Sequence, residues 1–335
     1  LGRRIETTYA ASLQAMVLEE VDRVKHQNRI WQCAQFLVDN QTSKGIWSYG
    51  TPSLAAETPS EDKTPKSVAS GARQFPVSAP GVKGKPKVRN RLRVEQTRDG
   101  GPWGDHSNSQ YAALGMRACH DAGIVFPLKV VEKAIDSWRE NQANEPNVKA
   151  EDLIEGDGLP KPRASSTVRR RAEPQGWCYG ERSGDEHGHH PPYGTMTAGA
   201  VGSLVLLDYI KDNDDGKKKS WKGDRDVHEG LVWLAKNFSV TYNPGRYEFG
   251  EKDNSQEWYF YYLYALERAG ILYGTELMGS HGWYAEGSRE LLSRQNLNEG
   301  YWGNGTIDTC FAILFLRRAT RSLDVATVSA RDARR

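Results

Sequence analysis

The sequence predicts an all-α fold, and within that class an α/α toroid of inner and outer helices, complete or truncated. Three observations predict it. Two kinds of helical segment alternate along the chain, one apolar nearly all round and one amphipathic. No strand pattern of any length competes with them. A Gln, a Gly and a Trp also recur where an amphipathic segment gives way to the next apolar one.

The apolar segments are Thr7–Val21, Asn108–Gly123, Thr195–Ile210, Gln256–Gly270 and Thr306–Ala319. A helix without a polar face is buried on most sides, and the Ala, Gly and Ser in these let neighbours approach closely. The amphipathic segments are Asn28–Gln41, Leu128–Gln142, Arg225–Phe238 and Gly282–Gln295. Each sets apolar residues at helical spacing against a charged face, as Val131, Ala134, Ile135 and Trp138 do in the second. Inner helices side by side with outer helices wrapping them make a curved double layer. The fifth inner segment has no outer partner. Two stretches, 51–93 and 144–174, are dense in polar residues and Pro and read as long insertions in a single domain over 1–335.

Composition excludes several classes. There is no run of about 18 apolar residues, hence no membrane-spanning helix. The 45 basic and 43 acidic residues are too balanced for a nucleic-acid partner, and the basic run Arg169–Arg171 lacks interleaved aromatics. Cys33, Cys119, Cys178 and Cys310 are scattered, which fits neither a disulfide framework nor a structural zinc site and leaves the compartment open. The chain begins at Leu1 and reads as a piece of a longer protein, so further segments of the same chain are expected as partners.

The recurring triad is Gln41, Gly45 and Trp47 in NQTSKGIWSYG. It returns as Gln96 and Trp103 in EQTRDGGPWGD, and as Gln295, Gly300 and Trp302 in RQNLNEGYWGNG. A degenerate copy is split between Gln142 and QGWCYG, 175–180. A helix end leaves carbonyls without partners. A Gln amide can donate to them, a Gly allows the left-handed exit, and the Trp ring covers the amide with its N–H free to bond. This is a structural clasp between hairpins.

Here the sequence resembles the QW motif of the squalene-hopene and oxidosqualene cyclases. It is similar to the wider superfamily that includes the protein prenyltransferase β subunits and, more distantly, the thioester domains of complement proteins. GWCYG, TMTAGAVGSL and DTCFAILFLRRA look like bacterial proteins described as having prenyltransferase or squalene-oxidase repeats. The resemblance implies the toroid and an isoprenoid ligand in a central apolar cavity. No cofactor is expected.

The chemistry is harder to find. The cyclases protonate their substrate with an Asp-x-Asp-Asp motif. That string occurs at Asp212–Asp215 but follows an inner helix and precedes Gly216 and three lysines, so it reads as a solvated turn. Asp308 stands just before an apolar helix, as the family's acid does, and equally reads as a helix cap. With Cys310 it also resembles part of the prenyltransferase zinc set, for which only His106 lies at a comparable helix end. His187, His189 and His190, beside Asp185 and Glu186, read as a polar loop or a metal cluster. Glu267 and Arg268 read as a buried pair. The candidate catalytic residues are Asp308, His106 and Glu267. The candidate cavity lining is Trp258, Tyr259, Tyr262 and Met196, since aromatic faces stabilise carbocations as readily as they fill a core.

Three functions remain in view: a cyclase- or prenyltransferase-like protein, a non-catalytic binding or scaffold toroid, and a carbohydrate-active toroid. No paired-carboxylate motif singles out the last.

Overall fold

The computed structural model describes residues 4–54, 88–144, 174–180, 191–213, 217–245 and 254–323. Most of the two insertions, the histidines 187, 189 and 190, and Asp214 and Asp215 lie outside them.

The described residues are mostly helical. In chain order the helices are α1 (Thr8–Asp22), α2 (Gln27–Asp39), α3 (His106–Asp121), α4 (Leu128–Glu140), α5 (Gly194–Asp212), α6 (Arg225–Lys236), α7 (Tyr259–Tyr273), α8 (Trp283–Ser293) and α9 (Thr306–Leu316). Strands are two-residue pairs only: β1 (Arg4–Ile5) with β2 (Ser53–Leu54), β3 (Leu92–Arg93) with β4 (Ile124–Val125), and β5 (Ala143–Asn144) with β6 (Gln175–Gly176).

Local chemistry sets the helix starts. Thr7, Asp105 and Asp224 accept from the backbone N–H groups of Ala10, Asn108 and Val227, satisfying donors that the first turn leaves open. α7 starts three residues later than its apolar pattern because Trp258 takes a left-handed conformation, φ 56°. α9 stops at Leu316, before Arg318 turns left-handed at φ 46°.

The odd-numbered helices pack in series, α1 on α3, α3 on α5, α5 on α7 and α7 on α9. The even-numbered helices pack against them: α2 on α1 and α3, α4 and α6 on α5, α8 on α7 and α9. This is the expected division between apolar and amphipathic segments. α5 is buried along almost its whole length. Close approach requires a glycine at 199, where an added Cβ would stand 2.6 Å from Gln110 Oε1 on α3.

The clasps join these layers, with a division of labour different from the one the sequence suggested. The Trp, not the Gln, satisfies the helix end. Trp47 Nε1 donates to Leu37 O in the last turn of α2 (2.8 Å), Trp177 Nε1 to Trp138 O of α4 (2.7 Å), and Trp302 Nε1 to Leu291 O of α8 (2.7 Å). In the first two clasps the Gln reaches the next even-numbered helix. Gln41 Nε2 donates to Val130 O of α4 and Gln142 Nε2 to Asp226 O of α6, both at 2.9 Å. Gln295 instead closes its own loop on Gly300 O. Each Trp backbone N–H donates to a hydroxyl on the fourth residue of the following odd helix: Ser109 on α3, Thr197 on α5, Thr309 on α9.

So the split copy at Gln142 and Trp177 is a working clasp. The Gln96 and Trp103 copy is not: Gln96 bonds only locally, to Asp99, and Trp103 is 74% exposed. At the handover from α6 to α7, two phenols instead bind the connecting segment, beyond the last turn of α6. Tyr259 and Tyr262 donate to the carbonyls of Val240 and Ser239.

Candidate functional site

The rings at the middle of the odd-numbered series form one cluster. Tyr9 of α1 meets Tyr111 of α3 edge-on, centroids 4.7 Å apart. Tyr111 lies 6.1 Å from Tyr261 of α7, and Phe311 of α9 stacks on Tyr261 at 5.2 Å and on Tyr264 at 5.7 Å. The hydroxyls are chained as well. Ser107 Oγ shares hydrogen bonds with Tyr9 (2.7 Å) and Tyr261 (3.2 Å). Four helices therefore join five rings in one chain of contacts, with Tyr9 and Phe311 half-buried and the other three buried. Burial raises the phenols: Tyr111 is pushed up to about 12 and Tyr261 well above its ordinary value, so all stay neutral near pH 7.

Arg268 of α7 sits within this cluster at 2% exposure. Its guanidinium lies 4.1 Å from the centroid of Tyr264, and Nη2 donates to Gln110 Oε1 of α3 at 2.7 Å. Nη1 has no hydrogen-bond partner, and neither has Gln110 Nε2. Burial opposes the charge, but the Tyr264, Tyr111 and Tyr261 phenols favour it, Tyr264 also through a hydrogen bond, and together they hold the guanidinium above its ordinary value.

Glu267 is not its partner. Successive residues on a helix point about 100° apart, and Glu267 turns instead to Thr320, accepting from its backbone N–H (3.1 Å) and hydroxyl (2.6 Å). Burial lifts the Glu267 carboxyl to about 7 against those bonds.

The structure does not gather the three candidate catalytic residues. Asp308, in the first turn of α9, reaches back to accept from the backbone N–H of Asn304 (2.9 Å); the N-cap position is Gly305, so Asp308 braces the preceding loop rather than capping the helix. His106 is fully buried, Nδ1 against Cys178 O at 2.7 Å and its ring stacked on Trp138 at 4.6 Å. Glu267 lies against the segment after α9. Cys310 is exposed, and among the described residues no three His, Cys, Asp or Glu side chains gather as a metal would need.

Of the proposed lining, Met196 and Tyr262 are packed in the core. Trp258, Tyr259 and Asp308 do meet, in a cleft of about 520 Å³ at the starts of α7 and α9. Trp258 is 55% exposed there, and Arg294 stacks 4.3 Å from the centroid of Tyr259 while bonding Gln256 and Thr241.

Sequence reasoning passed over Tyr9, Ser107, Gln110 and Tyr111. The available signal was a cluster of polar side chains, Ser107 to Gln110, inside a segment otherwise read as apolar. Comparison with protein-family models, curated proteins and solved structures finds no match to this chain.

Proposed function

We propose that this chain is a ligand-binding domain on an arc of an α/α toroid, taking an isoprenoid or similarly apolar molecule among its inner helices. The odd-numbered helices are the inner layer in this reading and the even-numbered ones the outer. One observation supports it: five rings from four odd-numbered helices touch in series, and in a toroid of this kind the ligand would lie among the inner helices. Exposed apolar side chains on the first and last inner helices, Leu13 and Val17 on α1 and Ile307 and Ile313 on α9, are consistent with an apolar ligand approaching from that side.

Binding is favoured over cation cyclisation. A carbocation among these rings would sit beside the guanidinium of Arg268, which already faces Tyr264. Asp308 is tied to the backbone of the loop before α9.

The test is calorimetric titration of the purified chain with farnesol and geranylgeraniol. Saturable binding that Tyr261→Ala weakens at least tenfold is the expected result. No saturable binding to either alcohol, or binding untouched by that substitution, would sink the reading.

A further inference from the structure

We propose that Arg268 and Gln110 form a seat for a single carboxylate, so that the ligand of the central cluster is an apolar acid. This rests on the ligand-binding reading above and names the chemistry of the head group.

Arg268 is a fully desolvated cation supported by the Tyr264 face and hydroxyl and by Gln110, and no carboxylate pairs with it among the described residues. Such a charge is costly unless something compensates it. Its bond to Gln110 also fixes that amide. A guanidinium only donates, so the Gln110 atom facing Nη2 is the carbonyl oxygen, and Nε2 is turned away as a donor. Two buried donors are then left over on two linked side chains, Arg268 Nη1 and Gln110 Nε2. Gly199 permits this arrangement, since any Cβ there would collide with the Gln110 amide.

The complement of two donors and one positive charge is two acceptor oxygens sharing one negative charge. A carboxylate has that shape and charge. A hydroxyl brings no charge. A diphosphate brings several negative charges to one cation in a desolvated site. The surrounding rings of Tyr111, Tyr261 and Tyr264 would take the apolar part next to the head, and the half-buried Tyr9 and Phe311 mark the side toward which it extends.

The experiment titrates the full chain with farnesoic acid, farnesol, farnesyl diphosphate and octanoate. The acid should bind roughly ten- to a hundred-fold tighter than farnesol, the range for hydrogen bonds to a charged group. Arg268→Met should bring the acid down to the alcohol's affinity while leaving farnesol within about threefold. Gln110→Glu supplies the carboxylate from within, so it should raise the melting temperature of the unliganded protein and abolish acid binding. Equal affinity for acid and alcohol would overturn the carboxylate seat and leave the isoprenoid reading standing. Octanoate binding that depends on Arg268, with no binding of farnesol or farnesoic acid, would do the reverse. Tighter binding of the diphosphate than of the acid would overturn the single-charge argument.

Discussion

Glu267 and Arg268 are neighbours in the chain and strangers in the fold. One faces Thr320, the other Gln110. Sequence put them together because both interrupt an apolar helix; direction around the helix separates them, and only tertiary partners reveal where each goes. Their electrostatics give opposite predictions. The Glu267 carboxyl is raised from its ordinary 4.5 to about 7, mainly by burial. Between those values the folded protein holds a proton that the unfolded chain has lost, so stability contributed by this group falls as pH rises from about 4.5 to about 7. Glu267→Gln should flatten that slope, and chemical denaturation at pH 5 and pH 8 would show it as a gain of on the order of 3 kcal/mol at the higher pH relative to the lower. An identical slope in both proteins would contradict the assignment. Arg268→Met removes a desolvated charge but strands Gln110 Oε1, whereas the double variant Arg268→Met/Gln110→Leu removes both groups and should leave the unliganded protein at least as stable as the parent in a melting experiment. A large loss of stability would mean that the guanidinium is compensated after all.

The clasps show what spacing can and cannot tell. The triad at Gln41, Gly45 and Trp47 and that at Gln295, Gly300 and Trp302 were legible because their members fall close together. The clasp at Gln142 and Trp177 was nearly hidden, because an insertion separates its halves while β5 and β6 bring them back together. Gln96 and Trp103 imitate the spacing without the bonds, since what matters is a helix-end carbonyl within reach of the indole. The hydroxyls of Ser109, Thr197 and Thr309, one per clasp, had no visible signature until the helix starts were fixed. Trp47→Phe, Trp177→Phe and Trp302→Phe should each cost about 1–3 kcal/mol in denaturant unfolding, because each removes the indole donor from a buried helix-end carbonyl and leaves a gap where the larger ring packed. Trp103→Phe should be within about 0.5 kcal/mol of the parent. Gly45→Ala should cost more than any of these Phe variants: Gly45 sits at φ +93°, and a Cβ would meet Lys133 O at 2.2 Å.

At the scale of the molecule, the alternation of apolar and amphipathic segments became the serial packing of odd helices with even ones against them. That much was legible because burial on all sides and burial on one side leave different periodicities. The centre was less legible. Its residues come from α1, α3, α7 and α9, and neither spacing nor composition says which rings of four distant segments will meet. The segment after α9 takes part too: Arg321 pairs with Glu19 and Glu20 of α1, and its backbone carbonyl accepts from Arg117 of α3, drawing the last described residues back to the first helix. The central claim is the proposal that an apolar acid binds among the odd-numbered helices. Photo-crosslinking with a diazirine-bearing farnesoic acid, followed by peptide mapping, tests it most directly. The account predicts label on peptides holding Tyr9, Tyr111, Tyr261, Tyr264 and Phe311, lost in Arg268→Met. Label confined to the cleft around Trp258 and Asn304, or spread over the outer faces of α2, α4, α6 and α8, would contradict it.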